Sequence, residues 1–385
     1  MPFDYTDAGP TGRPASPGRG PRQDDPADYH AGMKIPPSMS TKARSVARQS
    51  ARGARLAAAS LTGEPSGYPA RIGRIEYENV HLGAEVARLR NELNALHAHV
   101  RLLTAEVAVG ARERQDEAAA RPGHEHPPFL AHSTPVGSDF SHPRYAQLCR
   151  LLAVPPYYHR KTWEWGFILD HLMSSGLLRE GSRGLGFGVG TEPLPACFAA
   201  SGVQVVATDS PDHESWSAGD QHSSSIDQLL DSRIAPDAVV RRQVTHQACD
   251  MNDINPDLTD FDFNWSACAF EHLGTIEQGL DFVVNAVERT LRPGGIGVHT
   301  TELNLSSDTH TIETGGTVLF RPSDLNRLAD RLTERGHHVD PIRISRPTSS
   351  LDLHVDTPPY TPIHLRLEVA GYTVTSVGLV VRRGS

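Results

Sequence analysis

Between Ile72 and Val107 the apolar side chains recur three and four residues apart without a break: Ile72, Ile75, Leu82, Val86, Leu89, Leu93, Leu96, Val100, Leu103 and Val107, with Asn79 on the same stripe. This is the 3.5-residue period of a coiled coil. With Ile72, Asn79, Val86, Leu93, Val100 and Val107 at position a, the d positions are Ile75, Leu82, Leu89, Leu96 and Leu103. Mostly β-branched a residues with leucine at d favour two parallel strands, and an asparagine at a fixes register. Glu85 at g then faces Arg90 at e of the partner. The stripe predicts a parallel coiled-coil homodimer. The competing reading is one amphipathic helix folded back on its own domain.

Farther along, short apolar runs alternate with helical periods, the signature of an α/β fold with a parallel sheet. Lys161–Leu172 reads as a helix. Gly184–Asp209 reads as a strand, a glycine turn, a helix and a second strand ending in an acid. Val244–Asp250 supplies a third strand, and Phe261–Gly274 a buried fourth strand running into a loop. A helix with Ile276, Leu280, Val283, Val287 and Leu291 on one face is expected to stop at Arg292-Pro293-Gly294-Gly295, before a fifth strand over Ile296–Glu302. Leu325–Arg335 is helical by period. Apolar stretches at His338–Ile344 and Ile363–Arg382 complete the sheet, with Gly371 turning the last one back.

The first 70 residues are rich in Pro, Gly, Ser, Arg and Ala and bury too little to offset ordering entropy, so they are expected to be disordered. Their basic run, Lys42–Arg55, reads as a solvated tail, with an anionic membrane face or polyanion as the alternative. Residues 71–120 form the coiled-coil helix, 121–145 a Pro- and His-punctuated linker, and 146–385 the α/β domain. A net charge of −9 argues against nucleic acid as a partner. Cys149, Cys197, Cys249 and Cys268 form no C-x-x-C pair and read as buried thiols of a reducing compartment. With no long apolar run and no signal-peptide pattern, no transmembrane segment and a cytoplasmic location are expected.

The glycine turn carries the candidate chemistry. G-L-G-F-G-V-G-T-E places Gly186, Gly188 and Gly190 where the backbone must bend and approach a ligand closely. Asp209 follows at the distance at which a carboxylate meets a ribose. A dinucleotide fingerprint needs G-x-G-x-x-G, and it fails in both registers at Val189 and Thr191, which disfavours a nicotinamide oxidoreductase. The series G-x-G-x-G, strand, E-H, helix, L-R-P-G-G and a strand ending T-E-L-N resembles the class I S-adenosylmethionine (SAM) methyltransferases over Gly184–Asn304. With the Lys161–Leu172 helix and G-T-E-P-L-P, it is similar to a bacterial group associated with surface-glycan or secondary-metabolite biosynthesis.

That resemblance implies a Rossmann-like seven-stranded sheet, SAM as cofactor and S-adenosylhomocysteine as product. It implies cofactor contacts at Gly186, Phe187, Gly188, Gly190, Glu192, Asp209, Asp250, Met251 and Phe270. The acid that usually stands near the start of the motif is missing, since Gly184 and Gly186 occupy its two positions, and Glu192 is the partial substitute. The expected reaction is in-line transfer of a methyl group to a hydroxyl of a sugar-like or natural-product small molecule.

A hydroxyl acceptor also needs a base. His272, which follows strand four and titrates near working pH, is the first choice, with Glu271 and Glu302 beside it. Trp163, Trp216, His222, His299, Asn304, Asp356 and His364 are the acceptor-binding candidates, Trp216, Gln221 and His222 lying in a polar loop able to act as a lid. His272, His299, Glu302, His354, Asp356 and His364 include metal-ligand types, but no H-x-H or H-x-x-x-H pair supports a site, so a divalent metal is not favoured. Transfer to nitrogen or carbon, and a non-catalytic coiled-coil scaffold that binds SAM or nothing, are the alternative functions.

Overall fold

A computed structural model describes residues 68–211, 222–358, 360–361 and 363–385, with side chains from residue 72 onward. The basic tail with Lys42–Arg55, together with Trp216, Gln221 and Pro359, lies outside the described residues.

The heptad stripe is on a single helix, α1 (Tyr68–Ala119). Its a and d side chains from Ile72 to Val107 face solvent in the single chain, with exposures of 45–61% apart from Asn79, which is also exposed. From Ala108 the helix docks on its own domain: Ala108 is buried, and Gln115 Nε2 donates to the Gly137 carbonyl. Tyr158 Oη donates to the Asp116 carboxylate. The last turns of α1 thus anchor it, and among the described residues nothing covers the stripe ahead of them.

The stretch expected as a linker is packed. Ser133 accepts from Gly378 N at 2.7 Å and donates to the Arg343 carbonyl at 2.8 Å, while Trp163 Nε1 donates to Asp139 Oδ2 at 2.9 Å. The polar residues that look like linker composition are here the partners of buried groups.

Helices α2 (Pro143–Leu151) and α3 (Arg160–Ser174) precede the sheet. Its strands are β1 (Arg183–Phe187), β2 (Gln204–Asp209), β3 (Val244–Ala248), β4 (Phe261–Ala267), β5 (Leu291–Asn304), β6 (His338–Val339) and β7 (Tyr372–Arg382). The order is β3-β2-β1-β4-β5-β7-β6, with Leu367–Val369 pairing on β7 beyond that path. Strands β1 to β5 run parallel, and β7 is antiparallel to β5 and β6. This is a mixed α/β fold with a largely parallel central sheet. Helices α4 (Leu194–Ala200), α5 (Asp237–Gln243), α6 (Ile276–Asn285) and α7 (Pro322–Glu334) connect the strands. One core packs α2, α3 and α4 against Phe263, Trp265, Ile296 and Val298. A second packs α6 and α7 against Leu185, Phe187, Leu379 and Val381.

Two boundaries differ from the sequence expectation. Helix α6 stops at Asn285 and gives way to a π turn over Ala286–Thr290. Buried Asn264 of β4 explains it: its Nδ2 donates to the Ala286 carbonyl at 2.9 Å and to Thr290 Oγ1 at 3.0 Å, drawing the backbone open. Strand β5 begins at Leu291, so Arg292–Gly295 is an irregularity inside the strand, marked by a register shift opposite Phe261–Phe263 and a left-handed Gly294 (φ 79°). At the other end Gly371 (φ 87°) makes the expected turn into β7, whereas β6 is confined to His338–Val339. Among the described residues no helix is long and apolar enough to cross a membrane.

Candidate active site

The chain winds from β1 outward through β2 and β3, then returns to place β4 and β5 on the other side of β1. The carboxyl ends of β1 and β4 therefore flank a topological switch point, where open α/β sheets take their ligands. Four groups of residues meet there.

The glycine turn follows β1. Gly188 (φ 57°) and Gly190 (φ 51°) adopt left-handed backbone that side chains disfavour. Gly184 and Gly186 are glycine for another reason. A Cβ on Gly184 would lie 2.4 Å from the Phe263 ring, and one on Gly186 would lie 2.4 Å from the Trp265 ring. Two aromatic side chains of β4 fill that face of β1, so these glycines serve packing across the sheet.

Asp209 ends β2. Its Oδ2 accepts from Gly190 N (3.0 Å), Ser223 N (2.9 Å) and Ser223 Oγ (3.2 Å), and Oδ1 accepts from Ser210 N at 2.8 Å. The carboxylate thus clamps the glycine turn to β2, and Oδ1, which holds Ser210 N, keeps one further lone pair. His222 Nε2 meets the Ser210 carbonyl at 2.8 Å, beside this carboxylate. Asp250 is exposed and holds Asn252 N at 2.8 Å, and Met251 is buried, with its sulfur 3.6 Å from where a Cβ on Gly188 would stand.

Glu192 lies just past the turn and is buried. Trp265 Nε1 donates to its Oε1 at 2.6 Å. Burial pushes this carboxyl up to about 8, against the opposing pull of Trp265 and Lys161.

The fourth group is a buried charge cluster between the start of α3 and the ends of β4 and β5. Arg160 lies 2.6 Å from Glu302 Oε1 and 3.4 Å from Glu164 Oε1, and Lys161 Nζ lies 2.8 Å from Glu164 Oε2 and 3.4 Å from the Ala267 carbonyl. Ser376 of β7 donates to Glu164. Burial alone would raise the Glu164 carboxyl, but Lys161 and Arg160 hold it down to about 2. Glu271, fully buried, accepts from Thr301 Oγ1 at 2.9 Å on Oε2, while its Oε1 has no hydrogen-bond partner among the described residues. Burial and the neighbouring Glu302 push the Glu271 carboxyl up to about 8. Glu302 Oε2 is buried without a partner as well.

The other candidates fall in different surroundings. His272 Nδ1 contacts the Gly316 carbonyl (2.9 Å) and Thr317 Oγ1 (3.1 Å), and burial pulls the imidazole down to about 4. His299 is fully buried, meets Ser266 Oγ at 2.9 Å and packs against Phe270 and Phe282. Phe187 and Phe270 are likewise core residues against Phe282. Asn304 spends its amide on the loop after β5, donating to the His310 carbonyl at 3.0 Å and accepting from Ser306 N at 2.8 Å. Trp163 is buried beneath Asp139 rather than in the crevice. Asp356 and His364 form a buried pair (2.7 Å), with His159 stacked on the His364 ring and the His364 carbonyl accepting from Arg160 N at 2.9 Å.

Sequence reasoning passed over Arg160, Glu164, Trp265, Cys268 and Ser376. A charged triplet at a helix start in apolar company, R-K-x-x-E, was the available signal for the first two. Nothing local marks the others. Among the described residues, Cys268, Glu271 and Glu302 are the grouping of three whose metal-ligand atoms lie within 4.8 Å of one another. Arg160 already neutralises Glu302 there, and a cation would compete with it and with Lys161.

No protein-family model matches the sequence, and no curated protein matches it. Among solved structures the chain is similar to a Galdieria sulphuraria protein assigned as a sarcosine dimethylglycine methyltransferase, with 15% identity over 58% of this chain and 84% of that one and a TM-score of 0.37. It is similar to phosphoethanolamine N-methyltransferase 2 of Haemonchus contortus in complex with S-adenosyl-L-methionine, with 15% identity over 57% of this chain and 53% of that one and a TM-score of 0.34. A third is the CcbJ methyltransferase of Streptomyces caelestis, with 15% identity, 61% and 92% coverage and a TM-score of 0.34. At TM-scores of this size the likenesses assign the chain to no family.

Proposed function

We propose that the chain is a SAM-dependent methyltransferase that moves a methyl group to a hydroxyl of a sugar-like or natural-product small molecule. The observation that carries this reading is the convergence, at the switch point of a parallel sheet, of a left-handed glycine turn clamped by Asp209 with a buried pair of carboxyls on the facing strand ends. When bound, the cofactor supplies an electrophilic methyl group on a sulfonium. Gly188 and Gly190 would bring backbone against it, Asp209 Oδ1 would take ribose hydroxyls, and Asp250 with Met251 would border the adenine. These residues suit a nucleoside: a left-handed glycine turn brings backbone close, and two acids, Asp209 and Asp250, can accept from its hydroxyls and amine.

Glu271 has the better qualifications for base. Its Oε1 is bare, and its raised proton affinity makes its ionised form a stronger acceptor than an ordinary carboxylate. His272 is the weaker base, because burial disfavours its cation; its place is to tie the Gly316–Thr317 loop to the end of β4. Arg160 and Lys161 fix Glu302 and Glu164, so the base works within a rigid frame.

Transfer to nitrogen is the second reading. The bare oxygens of Glu271 and Glu302 would suit an ammonium as well as a hydroxyl. Calorimetry tests the shared premise: SAM and S-adenosylhomocysteine should bind the wild-type chain, and Asp209→Ala should weaken both by tenfold or more. No heat with either compound would end the enzyme reading. Binding without transfer of label from methyl-labelled SAM to any extract component would favour the scaffold.

We also propose that α1 pairs with a second copy as a parallel coiled coil. The exposed a/d stripe runs unbroken to the point where Ala108 meets the domain. In a parallel pair Asn79 meets Asn79, whereas in an antiparallel pair it would face a leucine or isoleucine at d and leave an amide unsatisfied. Leu89→Glu with Leu96→Glu should convert a dimer to a monomer in sedimentation velocity, with the folded domain intact by circular dichroism. A wild-type chain that sediments as a monomer at micromolar concentration would refute the pairing.

A further inference from the structure

We propose that Glu192 receives the ammonium of the cofactor's amino-acid end, standing in for the acid that β1 lacks, and that it surrenders a proton as the cofactor binds. The inference rests on the methyltransferase reading above and adds a residue role and a proton linkage to it.

The geometry begins at β1. An acidic side chain at position 184 or 186 has no room, because the rings of Phe263 and Trp265 occupy the space where its Cβ would go, at 2.4 Å in both cases. A Cβ at position 186 would also meet Val189 at 2.5 Å. The ring that closes position 186 belongs to Trp265, and the same indole presents its N–H to Glu192 Oε1 at 2.6 Å. One side chain of β4 thus removes the acid from the strand and holds another a few residues later, on the far side of the same turn.

The charges that face Glu192 come from two elements. Helix α3 contributes Lys161 and Glu164, and β2 contributes Asp209. Lys161 is committed to Glu164 at 2.8 Å, and Asp209 adds negative charge. With Glu192 itself buried, the surroundings favour its neutral form at neutral pH. Burial is the largest cause, and it carries the carboxyl up to about 8. An incoming ammonium reverses that balance: it supplies the missing positive partner, the carboxyl ionises, and the proton leaves to solvent.

The ammonium is common to SAM and S-adenosylhomocysteine and absent from 5′-methylthioadenosine, which keeps the nucleoside. Calorimetry at pH 7 in phosphate and in Tris, whose ionisation enthalpies differ, counts released protons. S-adenosylhomocysteine should release close to one proton per site and 5′-methylthioadenosine none. Glu192→Gln should abolish the release and weaken S-adenosylhomocysteine by about ten- to a hundredfold, leaving 5′-methylthioadenosine within threefold. Trp265→Phe, which keeps a ring over Gly186 and removes the N–H, should also weaken S-adenosylhomocysteine selectively. Binding of S-adenosylhomocysteine without proton release, or equal weakening of both ligands by Glu192→Gln, would overturn the assignment while leaving the cofactor reading intact. Failure of the wild-type chain to bind either ligand would overturn that reading itself and the assignment with it.

Discussion

Glu271→Gln should lower turnover by about 10²- to 10⁴-fold while leaving S-adenosylhomocysteine affinity within a few-fold of wild type. The amide keeps the shape and the Thr301 contact but cannot take a proton at the position where Oε1 is bare. The pH profile supplies the sign. A base must be ionised to act, so wild-type turnover should rise with pH and level off above about 8, where burial and Glu302 place this carboxyl. The variant should lose that limb. Transfer of labelled methyl groups to the acceptor, followed from pH 6 to 9, makes the measurement. A variant retaining a third or more of wild-type turnover would remove Glu271 from the proton path and move the weight to nitrogen transfer. His272→Ala, by contrast, should cost less than tenfold.

Glu164→Ala should destabilise the domain by about 1–3 kcal/mol, because it takes one of two carboxylate partners from buried Arg160 and the partner of Ser376, while Lys161, about a third exposed, falls back on water. For a domain of this size that lowers Tm by about 5 °C. Lys161 keeps the Ala267 carbonyl, and Arg160 keeps Glu302. Differential scanning calorimetry measures the effect, and an unchanged Tm would mean that water reaches the cluster. The pH dependence follows from linkage. Glu164 is held at about 2, below its ordinary value, so its stabilisation is complete above the ordinary carboxylate range and is lost as pH falls toward 2. Glu192 works in the opposite direction. Its carboxyl is raised to about 8, so its contribution is complete below the ordinary carboxylate range and is lost as pH rises through 8. Glu164→Gln should therefore be less stable than wild type at neutral pH but converge on it toward pH 2, and stability at pH 8 to 9 should improve in Glu192→Gln.

The candidate site was legible in the chain to different depths. Gly188, Gly190, Asp209, Glu271 and Glu302 were visible because strand ends and tight turns leave local marks. His299 and Trp163 were misleading for a definable reason. A polar or amphipathic side chain in a strand or helix next to the crevice can point into the core if a partner waits there, as Ser266 does for His299 and Asp139 for Trp163. The same holds for Asn304, whose amide turns back onto its own loop.

What the sequence determined by itself is whatever depends on short-range periodicity and backbone conformation. The 3.5-residue stripe of α1, the alternation of strands and helices and the turns at Gly188, Gly190 and Gly371 all belong here, since neighbours along the chain decide them. Tertiary structure alone decided which groups share a dielectric. Arg160 meets Glu302, Trp265 meets Glu192 and empties Gly186 of any side chain, and Ser133 ties the 121–145 segment to β7. Those pairings bring together residues far apart in the chain, and the proton affinities of the carboxyls follow from burial and charge in three dimensions, which no local pattern encodes.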